Sequence, residues 1–381
     1  MRAGHPDYLL ALVAALLTGL GLLAVYSASM AIGLSDYNNV NYFIVRQLAG
    51  AVLGVALLVF FSRLDYHILK HWSPLIMLAA LIGLTAVLVP HIGVNNNGAN
   101  RWIAIGPLPP LEPSEFTKLA MVIYIAAWLS SKREAVKRIS LGVIPFVLMV
   151  GLVGGLIMLE PDFGTTLVIV LTTSTMFFVG GASLRHVFTL ALAVIAAGAV
   201  MIVAGGYRSN RLFVAFLDPG KDPAGKGFHI LQLLIALGSG GLHGLGIGAS
   251  RQKFFYVPGA HTDGIFAIVG EETGFIGASL VILLFAILIY RGFRAGIGAP
   301  DEFGALLATG ITCWIAYQTV INIGGITRSI PLTGIPLPLM SYGSSALMSV
   351  MASLGVLLSI SRYTPENASP PRTAGERRTR A

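Results

Sequence analysis

Charge is scarce in this chain. Asp, Glu, Lys and Arg make up 11% of its 381 residues, where soluble domains carry roughly 25%. A chain so poor in charge cannot clothe a water-soluble globule. Cysteine is scarcer still. The single one, Cys313, lies inside an apolar run, which excludes an intrachain disulfide or a cysteine-built metal site. No internal repeat stands out, which weighs against transporter folds built from two matching halves. Apolar residues are what the chain has: 55% of it is hydrophobic and its mean hydropathy is +0.79. The net charge of +8 therefore raises the question of which membrane face holds the positive residues, and no nucleic-acid partner is expected.

A membrane-crossing helix needs about 20 apolar residues. Suitable runs lie at about 8–30, 43–61, 74–90, 115–130, 140–158, 165–181, 187–205, 264–290, 304–323 and 342–361. They predict an all-α polytopic membrane protein of about ten transmembrane helices, with one long extracytoplasmic loop, 206–263, between helices 7 and 8. The first run is longer than the h-region of a signal peptide, about 7–15 residues, so it reads as a span. With the N-terminus inside, Arg63, Lys70, Lys132, Arg133, Lys137, Arg138, Arg185, Arg291 and Arg294 all fall on the cytoplasmic side. That bias places both termini in the cytoplasm. Residues 1–363 form one transmembrane domain. Residues 364–381, rich in Pro, Ser, Thr and Arg, are expected to be a disordered basic tail.

Four outer stretches carry unusual polar groups. In the first, Arg101 precedes Pro113-Ser114-Glu115, a helix start with the acidic residue near the positive end of the dipole. Lys118 lies three residues on and can pair with Glu115 on one helix face. That pair can be structural, or Lys118 and Arg101 can be cations placed for a phosphate. In the second stretch, Asp162 either caps the following helix or faces a cleft. The third is the long loop, which opens with Arg208 and Arg211 and contains an apolar piece from Phe228 to Gly238. That piece is too short to span and reads as re-entrant or interfacial. The glycines after it have no preceding strand, which rules out a dinucleotide-binding loop. In the fourth, Pro331, Gly334, Pro336 and Pro338 break any helix, and Ser341 and Ser344 offer hydroxyls at the start of the last span.

The densest polar cluster runs from Arg251 and Lys253 through His261 and Asp263 to Glu271 and Glu272. Carboxylates at a hydrocarbon boundary are costly and mark function by default. Asp263 is the candidate general base, placed to take a proton from an acceptor hydroxyl. Arg251, Lys253 and His261 are candidate contacts to an anionic headgroup. Glu271 and Glu272 sit about 12 Å deeper along a helix starting near Asp263 and read as structural support, as does Glu115. Together these groups suit a lipid-linked pyrophosphate, whose departure cations would stabilise. The outer carboxylates admit a divalent cation (Mg or Mn), yet their spacing matches no metal-binding motif.

The order GANRW, PSEFTKLA, EPDFGT, GSGGLHGLGIGASRQKFFYVPGAHTDGIFAIVGEETG and PLTGIPLPLMSYGSS resembles the SEDS (shape, elongation, division and sporulation) family over nearly all of residues 8–363. The compact GLGIGASRQKFFYVP segment is more similar to the division and sporulation branch (FtsW- and SpoVE-like) than to the elongation branch (RodA-like). The resemblance implies a peptidoglycan glycosyltransferase of the bacterial cytoplasmic (inner) membrane. Its substrate would be lipid II, the undecaprenyl-pyrophosphate-linked disaccharide peptide. Its partners would be a class B penicillin-binding protein transpeptidase and other divisome or elongasome membrane proteins. The aspartate of the family's HTD motif corresponds to Asp263. Three positions depart from the family pattern: Gly259-Ala260 where an acidic residue is common, Gly264 where Phe is usual, and Thr273 in place of Leu. A lipid II flippase is the competing reading. A flippase needs polar residues along a path through the bilayer, whereas here they gather at the outer face.

Overall fold

The computed structural model describes residues 4–90, 92–96, 99–104, 109–132, 136, 138–186, 188, 189, 192, 216, 218–222, 225 and 227–364. Most of the expected span 187–205, the loop residue Arg208 and the tail from 365 onward lie outside these residues. The described chain is a bundle of α1 (Tyr8–Tyr37), α2 (Tyr42–Arg63), α3 (His67–Leu88), α4 (Pro113–Ser131), α5 (Ile144–Leu159), α6 (Phe163–Val179), α7 (Phe228–Ser239), α8 (Ile265–Ile297), α9 (Glu302–Ile326) and α10 (Ser344–Ser361). A π-helical turn, Ile139–Val143, leads into α5.

Nine of the ten expected spans thus appear among the described residues. Seven helices are long and apolar enough to cross a membrane on composition alone, counting α5 with its leading turn. The exceptions have plain causes. Glu115 and Lys118 dilute the apolar character of α4, and α6 has 17 residues, about 26 Å of rise. Helices overrun the apolar limits read from sequence. An apolar run marks hydrocarbon, while the helix continues into the polar interface: α1 reaches Tyr37 and α3 begins at His67, ahead of Pro74. Asp7, Asp162 and Asp301 cap α1, α6 and α9 through bonds from the amides of Leu10, Thr165 and Gly304, satisfying donors no helix can satisfy itself.

The bundle has a centre and a rim. In α10, 89% of the apolar window is buried inside the protein, against 28% in α2, so α10 is a core helix and α2 a lipid-facing one. Val52, Phe60, Leu75 and Leu148 lie exposed on the rim, as lipid contact requires. α2 lies along α10 at very short range. A Cβ on Gly50 would overlap Ser344, one on Gly54 would meet the Met351 sulfur, and one on Gly355 would strike the Leu58 carbonyl. Small residues at such a seam allow backbone approach and dispersion contact where lipid provides no hydrophobic drive.

At one end of the bundle lie the α1–α2 turn, a two-stranded antiparallel hairpin, the α5–α6 turn and the long segments before α8 and α10. The hairpin pairs β1 (Gly93–Asn96) with β2 (Ala99–Ile103), Val94 opposite Trp102. Sequence patterning read this stretch as a loop, since four and five residues leave little room for alternation. The hairpin packs on α3 and α4 and carries Arg101.

The segment 228–263 folds back along α8. After α7 the chain descends beside α8 to the level of Gly274, where α8 is broken by a backbone conformation of φ 69°, ψ −167°. A broken helix inside a membrane must have its freed backbone groups satisfied by protein. The descending loop does this. The amides of Leu245 and Gly246 donate to the carbonyls of Glu271 and Glu272, and those of Phe275 and Ile276 donate to Gly241 and Leu242. A Cβ on Gly274 would lie 2.3 Å from the Gly244 amide nitrogen and 2.5 Å from the Leu242 carbonyl. Gly274→Ala therefore combines a forbidden φ with a backbone clash. It is expected to destabilise by more than about 1 kcal/mol, read as a lowered melting temperature in detergent.

Candidate active site

The polar segments at this end enclose a cleft of about 660 Å³. The sequence brings them there for local reasons. Prolines 331, 336 and 338 hold the α9–α10 segment extended, and Asn322 near the end of α9 clamps it. The Asn322 amide donates to the Ile335 carbonyl at 2.8 Å and to the Asp263 carbonyl at 2.9 Å. One side chain thus fixes the extended segment against Asp263, just ahead of α8. The Tyr342 amide closes a second tie, to the His261 carbonyl at 2.8 Å.

Asp263 lines the cleft. Its carboxylate accepts the Thr262 hydroxyl at 3.0 Å and rests over Gly259, where φ is +65°. Burial pushes its pKa up, while His229 and the Thr262 hydroxyl pull the other way. A raised carboxyl pKa brings a base closer to neutrality. The departures at 259 and 264 make physical sense here. A Cβ at Gly259 would lie 2.3 Å from the Asp263 Oδ1, and one at Gly264 would crowd Val257 and the Gly259 carbonyl. The Gly264 amide closes the turn before α8 by donating to that carbonyl at 3.0 Å. Gly259→Ala is expected to displace the carboxylate and cost up to about 100-fold in activity with a much smaller loss of stability. A kcat measurement beside a melting curve checks this.

His261 also lines the cleft, packed on Phe43 and Tyr342 with ring centroids 4.6 and 5.4 Å away. Burial pushes its pKa down to about 4, so it is a neutral imidazole and supplies no cation for a phosphate. Across the cleft, Arg101 is aimed by the α5–α6 turn. Its Nε donates to the Glu160 carbonyl at 2.9 Å and its Nη2 to the Pro161 carbonyl at 2.6 Å. Asp162, the cap of α6, stands 3.8 Å from Nη1. Capping and cleft-facing turn out to be the same position for Asp162. Ser344 lines the cleft and donates to the Arg46 carbonyl at 3.1 Å.

Four expected contacts lie elsewhere or are internally engaged. Lys118 is buried, bonded to Glu115 at 2.8 Å and to the Gln318 side-chain oxygen at 2.9 Å, beneath the cleft floor. The Ser341 hydroxyl accepts the Leu337 amide and shapes the extended segment. Lys253 is buried in the folded-back loop, 3.2 Å from the Glu272 carboxylate, with bonds to the Ser27 hydroxyl and the Gly248 carbonyl. Glu271 accepts the Ser250 hydroxyl and the amides of Arg251 and Gln252. Arg251 is exposed outside the cleft. The cluster that looked linear in sequence is therefore folded back on itself. Lys253, expected at the headgroup, is instead buried against Glu272, because a buried carboxylate requires a partner.

Sequence reasoning missed Arg46, Tyr342, Glu112 and Glu160. Arg46 lines the cleft with its guanidinium 4.1 Å over the Tyr42 ring. Its signal was an arginine inside an apolar run. Glu112 lines the floor and Glu160 lies behind it, and burial drives both carboxyls up to about 8. Both flank motifs already singled out for their neighbours. Among the described residues, no group of three or more His, Cys, Asp or Glu side chains is arranged to hold a metal ion.

Fold and site together define a multi-pass helical membrane protein with, among the described residues, a cleft lined by arginines and carboxylates at the end of its bundle. The FtsW/RodA/SpoVE family, described as cell cycle proteins, matches residues 7–366, and the chain belongs to it. It is 43% identical over 359 residues to stage V sporulation protein E of Bacillus subtilis, covering 94% of this chain and 98% of that one. It is 38% identical over 362 residues to a probable peptidoglycan glycosyltransferase FtsW of Trichlorobacter lovleyi, covering 94% of each. Among solved structures, it superposes with a TM-score of 0.78 on a chain from a peptidoglycan synthase complex that coordinates polymerization and crosslinking, at 29% identity over 95% of this chain and 99% of the other. The rod shape determining protein RodA of Thermus thermophilus gives 0.70 at 27% identity, over 94% and 98%.

Proposed function

We infer that this chain is a peptidoglycan glycosyltransferase that polymerises lipid II at the outer face of the bacterial cytoplasmic membrane, with both termini in the cytoplasm. The observation that carries the reading is the position of Asp263. It is a partly buried carboxylate with a raised pKa, on the wall of a cleft that also holds two guanidinium groups, Arg46 and Arg101. In this reading Asp263 takes the proton from the acceptor sugar hydroxyl as that oxygen attacks the donor sugar at its anomeric carbon. The bond to the pyrophosphate breaks with inversion, on the face opposite the attack, by analogy with inverting glycosidases. Arg101 and Arg46 stabilise the departing pyrophosphate. Neutral His261 and the Tyr342 ring form an apolar-edged wall for a sugar.

The similar solved chain, which comes from a synthase complex that coordinates polymerization and crosslinking, supports a transpeptidase of the penicillin-binding class as partner. Sidedness tests the proposal. Liposomes holding the purified chain and its partner, with labelled lipid II confined to the leaflet beside the cleft, are expected to yield glycan polymer. Polymer formed only when the opposite leaflet is loaded would reverse the orientation. Translocation of lipid II without any polymer would replace the enzyme with a flippase.

A further inference from the structure

Glu160, behind the cleft floor, is an odd residue to find beside a cleft that carries two guanidinium groups. It is 1% exposed, and neither carboxyl oxygen has a hydrogen-bond partner. Its backbone carbonyl holds Arg101, but its side chain does not. The charged groups facing it are Glu112, Asp162 and Arg101. Glu112 precedes α4 and is faced by Glu115, Asp162, Lys118 and Arg101. Its Oε1 accepts the Ser114 hydroxyl at 3.3 Å, and its carboxyl opens on the cleft.

The charge balance decides what this pair can be. With both groups ionised, Glu112, Glu115, Glu160 and Asp162 would set four negative charges against two positive ones, Lys118 and Arg101. Lys118 is already spent on Glu115. A floor of that kind repels a pyrophosphate, and an unpaired buried carboxylate is among the most expensive groups a fold can carry. With both protonated, Glu115 pairs with Lys118, Asp162 faces Arg101, and the floor is neutral.

We propose that Glu160 and Glu112 form a proton-holding carboxyl pair, and that neutral Glu112 donates its O–H to a phosphate oxygen of the ligand in the cleft. Glu160, buried with no hydrogen-bond partner on either carboxyl oxygen, holds its own proton and so leaves that side of the cleft uncharged. A carboxylic acid acts here as a neutral donor, which lets an acidic residue contribute to anion binding. The elevated pKa values of both groups agree with the geometry. The donor role rests on the pyrophosphate reading of the cleft, whereas the proton-holding pair does not.

Two measurements on the full-length protein test it. Infrared spectra should contain the C=O stretch of protonated carboxyls near neutral pH, lost as pH rises through about 8, and reduced in both Glu112→Gln and Glu160→Gln. Binding of a polyprenyl pyrophosphate is then compared at about pH 7 and pH 9. Because glutamine keeps a neutral donor, Glu112→Gln should bind within about twofold of the native chain at the lower pH. At the higher pH it should keep its affinity while the native chain weakens about tenfold. Glu112→Ala should bind weakly at both.

Absence of the carboxyl band overturns the pair. Equal weakening by Glu112→Gln and Glu112→Ala at the lower pH overturns the donor role, since the site would then require the charged carboxylate. A band that titrates as expected, with no pyrophosphate binding by the native chain, refutes the substrate reading and the donor role with it, and leaves the proton-holding pair standing.

Discussion

Asn in place of Asp263 is expected to lower the rate of glycan polymerisation by about 10²–10⁴-fold, the usual contribution of a positioned general base. Asparagine keeps the shape and the bond from Thr262 but cannot accept a proton. Substrate affinity should change little, so the loss should appear in kcat. The pH profile of the native chain carries further information. A base must be deprotonated to act, and burial raises the pKa of Asp263, so activity climbs as pH rises through that elevated value. Above about 8, Glu112 and Glu160 ionise and the cleft floor turns negative, so activity falls again. The resulting profile is a bell, and Glu112→Gln should extend its alkaline side. A flat profile would remove Asp263 from proton transfer.

Lys253→Met is expected to act on stability with similar force. Lys253 and Glu272 have side chains only 1% and 5% exposed and stand 3.2 Å apart, with the Ser27 hydroxyl of α1 donating to Glu272 at 2.6 Å. Removing the cation leaves a carboxylate buried without its counter-charge, which costs about 3–5 kcal/mol. The pair also ties α1 to the folded-back loop and to the broken part of α8, so its loss should loosen the platform on which Asp263 stands. Thermal unfolding in detergent measures the effect. A double variant, Lys253→Met with Glu272→Gln, should recover part of the lost stability, because the buried charge is gone. Failure of the double variant to recover would mean that Lys253 acts through packing.

These two expectations show which parts were legible in sequence. The spans were legible because a bilayer demands long apolar runs, and nine of them could be read with no tertiary information. Asp263 was legible because a carboxylate at a membrane boundary needs a reason. Lys253 was not, because a buried ion pair between residues 253 and 272 depends on a loop that turns back beside a broken helix. That turn depends on Gly274, which looks like any other glycine in an apolar run. Glu112 and Glu160 were hidden for the opposite reason: each stands beside a more conspicuous neighbour, and only the packed cleft reveals that the neighbour is a cap or an internal partner. Arg46 was hidden because it lies inside an apolar run, where it read as part of a span. The hairpin carrying Arg101 was invisible because strands of four and five residues give period-two alternation almost nothing to act on.

Whether this cleft makes glycan is the central question. The direct measurement is polymerisation of labelled lipid II by the purified chain and its crosslinking partner, with native protein and the Asp263→Asn variant side by side. Both should be folded and equally able to bind substrate. Long glycan from the native chain and at most about one part in a hundred from the variant is the predicted result. Equal glycan from both would contradict it.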